Sequence, residues 1–167
     1  ASSIMIPILE NAEIRSDEEM QVVAGALKTL WPAVEQSGLN LTFEASLSPE
    51  KFVQFMAGLN HPAAKIVYDI GNSASFGYDP KEEIETYGRY VSNVHIKDRK
   101  RGGSTVPLGT GNTDFDKTFA ALKQRDYQGM FTFEVARTEP GHEMENAKNS
   151  LNFLHKLLIQ YFGEKYV

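Results

Sequence analysis

Glu44, Asp69, His95 and Glu134 are the residues on which a chemistry can be built. Each ends, or nearly ends, a short run rich in apolar residues: Leu41-Thr42-Phe43-Glu44, Lys65-Ile66-Val67-Tyr68-Asp69, Asn93-Val94-His95-Ile96-Lys97 and Met130-Phe131-Thr132-Phe133-Glu134. A single carboxylate in such a place is ordinarily a loop-facing charge or a helix cap, and a single histidine is ordinarily a hydrogen-bonded strand residue. Four of them, in step over four successive runs, ask for another account. Side chains alternate across a strand. Leu41, Phe43, Ile66, Tyr68, Val94, Ile96, Phe131, Phe133 and Val135 therefore share one face. Thr42, Glu44, Val67, Asp69, Asn93, His95, Lys97, Thr132 and Glu134 share the other. Ionisable groups gathered on a buried face are costly unless something compensates them, and a divalent cation would. Three carboxylates and an imidazole suit a fairly hard ion, Mn²⁺ or Mg²⁺, with Zn²⁺ or Co²⁺ compatible.

The elements that must hold these groups read as an alternation of strands and helices. A first strand is expected over 4–9 and a helix over about 17–36, with Ser16 as N-cap and Glu19 completing a capping box. Ser48-Pro49 and Asp79-Pro80 each read as N-cap then first helical residue, opening helices to about Leu59 and Tyr90. A Gly-rich segment fills 101–112, a helix is expected over about 114–125, and a last one over about 142–162. Such an alternation implies right-handed βαβ units and a parallel sheet. The apolar face suits a layer of covering helices. The ionisable face ends at the C-terminal ends of the strands, where α/β folds carry their sites.

Composition bounds the remaining possibilities. The 167 residues are read as one domain, 1–167, with a net charge of −5 that argues against nucleic acid or an anionic membrane as partner. The same acidity, with only four histidines, disfavours a His-rich multi-metal nuclease. No apolar run approaches the roughly 18 residues of a membrane span. The absence of cysteine excludes disulfides and thiolate ligands, and fits a cytoplasmic location. The N-terminus has no signal-like run. With Ala at position 1, either the initiator was removed or the chain is part of a longer one.

Four runs, Tyr68-Asp69-Ile70-Gly71-Asn72, Val94-His95-Ile96-Lys97-Asp98, Leu108-Gly109-Thr110-Gly111-Asn112-Thr113-Asp114-Phe115 and Phe133-Glu134, resemble the xylose-isomerase-like TIM barrels. Among these the chain is most similar to the L-ribulose-5-phosphate 3-epimerases and hexulose-phosphate isomerases. The resemblance covers about strands four to eight of that barrel. It implies a partial (β/α)8 barrel of five parallel strands, one divalent metal on Glu44, Asp69, His95 and Glu134, and Glu44 and Glu134 as the acid/base pair. The implied reaction is proton abstraction next to the carbonyl of a keto-sugar or sugar phosphate, through an enediolate that the metal stabilises. Asn72 stands where several relatives have a substrate-binding histidine, and Arg101 is the implied substrate contact, with Arg99 as rival. Lys97 shares the His95 face and is read as touching substrate or pairing with an acid, whereas Gly109 and Gly111 shape the loop backbone. A full barrel needs eight βα units. Five strands therefore imply open edges at both ends of the sheet, with Val67 and Met130 exposed, and association as a homo-oligomer or with a complementing N-terminal half barrel. The competing reading is a non-catalytic or incomplete half barrel that only binds metal or ligand, or only assembles. A dehydratase of the same superfamily is a further rival.

Overall fold

A computed structural model describes residues 2–164. In chain order, β1 (Ser3–Ile8) precedes α1 (Asp17–Lys28) and α2 (Trp31–Ser37), and β2 (Asn40–Ala45) precedes α3 (Pro49–Leu59). β3 (Ala64–Asp69) runs directly into α4 (Ile70–Phe76), which is followed by α5 (Pro80–Tyr87). β4 (Val91–Ile96) leads through the two-residue strands β5 (Asp98–Arg99) and β6 (Thr105–Val106) to α6 (Phe115–Gln124). β7 (Met130–Phe133) and α7 (Glu143–Phe162) complete the order. The five principal strands form one parallel sheet in the order β1-β2-β3-β4-β7, and β5 and β6 pair antiparallel.

The helix starts follow their capping residues. Ser48 Oγ accepts from Lys51 N, Asp79 Oδ1 from the amides of Lys81 and Glu82, and Asp114 Oδ1 from Lys117 N. At α1, Ser16 Oγ accepts from Glu19 N, but the Glu19 carboxylate turns to Arg15 N at 2.7 Å rather than to Ser16 N, so the box closes one residue early. The single helix expected over 17–36 is two. Pro32 has no amide to give the carbonyl of Lys28, and its ring crowds that carbonyl. α1 therefore ends at Lys28, and α2 restarts with the proline in its first turn. α4 was not foreseen. It begins at the residue after Asp69, whose Oδ1 accepts from Asn72 N at 2.8 Å and caps it. The Gly-rich segment holds β6, which pairs with β5 just before it.

The apolar face is covered over β2, β3 and β4, but not at β7, an edge strand, where Phe131 and, just past it, Val135 are half-buried and Phe133, expected on the covered face, is exposed. Leu41, Phe43, Ile66, Tyr68, Val94 and Ile96 are all buried, with Phe55 of α3 edge-on to Phe43 and Phe119 of α6 stacked on Phe131. β1 and β7 are the two edges of the sheet, and Ile4, Met5, Met130 and Phe133 there are exposed by 38–52%. Val67 was expected to be exposed with them and is not: it is 2% exposed. Leu47, Phe76 and Tyr78, from the segment after β2 and from α4 and its end, line one small cavity with it. Among the described residues no helix is long and apolar enough to cross a membrane.

Candidate metal centre

Register brings the four ionisable groups together. Asp69 at the end of β3 lies beside His95 of β4 as its ladder partner. That match depends on an irregularity between Ile66 and Val67, where the partner on β4 jumps from Val91 to Asn93. Without the extra residue Asp69 would sit beside Val94, because a one-residue slip exchanges faces. Glu44 stands on β2, next to β3, while Glu134 follows β7 and continues its ladder by donating its amide to Ile96 O. The two glutamates thus reach the cluster from the strands on either side of the β3–β4 pair.

One ligand atom from each of Glu44, Asp69, His95 and Glu134 lies within 4.8 Å of the other three. His95 Nδ1 is 2.9 Å from Glu134 Oε2, 3.6 Å from Glu44 Oε2 and 4.0 Å from Asp69 Oδ2. Donors about 2.2 Å from a common ion stand about 3–4.4 Å apart, and the separations from His95 Nδ1 fall close to that range. The donor types, three carboxylates and one imidazole, also fit a divalent ion. The Asp69 carboxylate serves two masters: Oδ1 caps α4 and Oδ2 faces the cluster. Lys97, just past β4, sends its ammonium between Asp69 Oδ2, at 3.1 Å, and Glu134 Oε1.

The environments of the two glutamates pull their proton affinities apart. Burial, reinforced by the negative charge of Asp69, pushes the Glu44 carboxyl up to about 7. The hydrogen bond from His95, with Lys97 adding a second, holds Glu134 down at about 2. Burial also raises Asp69. For His95 burial works to lower the pKa, but the hydrogen bond to Glu134 and the charges of Glu44 and Asp69 outweigh it and the pKa rises. A pair of carboxyl groups separated in this way is how one site keeps one group ionised and the other poised to exchange a proton.

The cluster opens into a cleft of about 690 Å³, lined among others by Met5, Asn72, Lys97, Arg99 and Thr105, a volume in the range of small-molecule sites. Asn72 and Lys97 are therefore at the site. Arg101 is not: its guanidinium lies over Gly77, so close that a Cβ there would strike it, and the side chain is exposed. Arg99 takes the place beside the site, donating from Nη1 to Asn72 Oδ1 at 2.8 Å. Gly109 adopts φ +82°, and a Cβ on Gly111 would collide with Asp98, so both glycines serve the loop backbone. Glu83 escaped the sequence reading. It is 2% exposed and accepts from Tyr68, Tyr87 and Ser73 beneath the site. Its place in the helix Asp79-Pro80 opens gave no sign of burial.

Known proteins share this arrangement of strands. The L-ribulose-5-phosphate 3-epimerase UlaE of Salmonella paratyphi A is 33% identical over 95 residues, covering 54% of this chain and 34% of the epimerase. The crystal structure of D-allulose 3-epimerase from Methylomonas sp. superposes with a TM-score of 0.71 at 24% identity, over 86% of this chain and 57% of that one. The crystal structure of the IOLI protein with a zinc atom does so with a TM-score of 0.79 at 17% identity, over 96% and 64%. The chain thus spans about a third of the matched epimerase and about three fifths of the solved barrels. The match to the family itself is not confined to one motif: it runs over residues 4–157, through every strand that contributes to the cluster, and the chain belongs to the xylose isomerase-like TIM barrel family.

Proposed function

We propose that this chain carries the metal-binding and proton-transfer part of an epimerase or isomerase acting on a keto-sugar or its phosphate. The observation that carries the proposal is the convergence of Glu44, Asp69, His95 and Glu134 within 4.8 Å at one end of a parallel sheet. These four residues would hold one divalent ion, Mn²⁺ in the first instance. Bound there, the ion supplies Lewis-acid stabilisation of the negative charge that develops on substrate oxygen. Glu44 and Glu134 exchange the proton of the carbon next to the carbonyl. In the metal-free site their proton affinities already lie apart, Glu44 raised by burial and Glu134 lowered by its bonds to His95 and Lys97, which suits one as proton donor and the other as acceptor. Their approach from the two outer strands of the group of four suits removal on one face of the substrate carbon and return on the other. Lys97, Asn72 and Arg99 line the space the sugar would fill.

The test is incubation with Mn²⁺ and L-ribulose 5-phosphate in deuterium oxide, with the chain alone and with an N-terminal half barrel supplied in trans. Deuterium at the epimerised carbon is the expected product, lost by about 10²-fold or more in Glu44→Gln and Glu134→Gln. The sheet edges at β1 and β7 favour a second reading for these residues taken alone: a half barrel that binds metal or assembles without turning over. Tight Mn²⁺ binding with no exchange in either arrangement would decide for that one.

A further inference from the structure

The side chain of Asn72 is held at both ends. Its Nδ2 donates to Glu44 Oε1 at 2.8 Å, and its Oδ1 accepts from Arg99 Nη1 at 2.8 Å. Those two bonds fix which way the amide points. Its backbone amide is also engaged, donating to Asp69 Oδ1 at 2.8 Å. Arg99 is pinned in turn, with Nε and Nη2 both donating to Gly103 O, in the turn between β5 and β6, at 3.0 and 2.6 Å. The β5–β6 ribbon is anchored by Asp98, 1% exposed, which accepts from the amides of Gly111 and Thr113. A continuous path of hydrogen bonds therefore runs from the rim of the cleft to Glu44. It occupies Glu44 Oε1 and leaves Oε2 facing His95 Nδ1 at 3.6 Å.

We propose that Asn72 and Arg99 are positioning residues, which set the orientation of the Glu44 carboxylate and tie it to the conformation of the β5–β6 ribbon. The family resemblance implies a substrate contact at Asn72. The geometry gives it a different task, since its carbonyl oxygen and one amide hydrogen are committed inside the protein. The planar guanidinium suits this task because it serves Gly103 and Asn72 from separate nitrogens, which a lysine cannot do. Partners that orient a ligand side chain commonly change metal affinity by 10–100-fold when removed. The inference rests on the reading of Glu44 as a metal ligand, and the experiment separates the two.

Co²⁺ is titrated into the unsubstituted chain, Asn72→Ala, Arg99→Ala and the double variant, with affinity and the visible absorption spectrum as readouts. The metal-free melting temperature of each reports any general loss of structure. Each single variant is expected to weaken Co²⁺ about 10-fold or more and to alter the spectrum. The double variant is expected to be no weaker than Asn72→Ala, because Arg99 acts only through Asn72. Additive losses, or native affinity and spectrum in Arg99→Ala, would overturn the relay and leave Arg99 a clasp for the ribbon. Should Arg99→Ala not fold, Arg99→Met keeps the aliphatic stem and takes its place. A native chain that binds no Co²⁺ would overturn the metal reading instead. The relay is then judged on the side-chain amide resonances of Asn72, which are expected to move in Arg99→Met and in Glu44→Ala; unmoved resonances would overturn it.

Discussion

Glu83 offers the sharpest test of the packing beneath the site. Its carboxylate is 2% exposed and accepts from Tyr68 Oη at 2.9 Å, Tyr87 Oη at 2.7 Å and Ser73 Oγ. Burial nevertheless raises its pKa, since the three hydroxyls only partly offset the loss of water. Glu83→Leu would leave those hydroxyls without their acceptor. A buried unsatisfied donor costs about 1 kcal/mol at the least, so the loss should be about 3 kcal/mol. For a chain of this size that is a fall in melting temperature of about 6–12 °C. Glu83→Gln removes the charge, keeps one accepting oxygen and sets an NH2 donor in place of the other, so it should cost about 1–2 kcal/mol, less than Glu83→Leu. The pH dependence has a definite sign. The folded carboxyl binds its proton more tightly than the unfolded one, so native stability falls as pH rises from the unfolded value near 4.3 through the raised folded value. Glu83→Gln has no such slope and should gain on the native chain across that window. Urea unfolding followed by circular dichroism between pH 5 and 8 measures all three quantities. A Leu variant within 1 kcal/mol of native, a Gln variant as damaged as Leu, or a stability difference moving the other way would refute the reasoning.

Other outcomes follow from the same geometry. Mn²⁺ at 100 times its dissociation constant should stabilise the chain by about 2.7 kcal/mol, a rise of about 5–11 °C in melting temperature, absent in His95→Ala; an equal rise in that variant would remove His95 from the ligand set. Asp98→Ala, which deletes the acceptor for the amides of Gly111 and Thr113, should cost about 2 kcal/mol and speed hydrogen exchange at those two amides, with little change at β2. Light scattering at micromolar concentration should give a mass above that of one chain, because β1 and β7 are both sheet edges carrying exposed Ile4, Met5, Met130 and Phe133; a sharp monomer mass would show that these edges do not recruit a partner.

The order and direction of the strands, and the face on which Glu44, Asp69, His95 and Glu134 lie, were legible in the sequence because both follow from local signals. Two-residue alternation assigns faces, and the Ser-Pro and Asp-Pro pairs mark where helices begin. What escaped depends on contacts between segments distant in the chain. The extra residue that sets β4 against β3 shows only as a lapse of alternation at Val91-Ser92-Asn93, and its consequence appears only with β3 alongside. The choice between Arg99 and Arg101 turns on a ribbon closed by Asp98, which spacing along the chain does not reveal. Val67 is buried beside a small cavity lined from two other segments. Glu83 lies on a helix whose acidic run, Glu82-Glu83, reads as a solvated first turn.

The run Asp69-Ile70-Gly71-Asn72 shows why so much of the site can hang on so little sequence. Asp69 ends the strand and caps the helix that starts at the next residue, so the strand hands over to α4 with no linker and the carboxylate has no slack. Gly71 then meets the stem of Lys97: a Cβ there would lie 2.7 Å from Lys97 Cγ and 3.0 Å from the Lys97 backbone. Only a residue without a side chain lets Lys97 pass and bring its ammonium between Asp69 and Glu134. One residue later Asn72 turns its amide to Glu44. The tight strand-to-helix turn thus positions three separate members of the cluster, on β2, on β3 and past β7. A shift of α4 would be felt at all of them at once, and Ser73 of the same helix ties it to the buried Glu83 beneath the site.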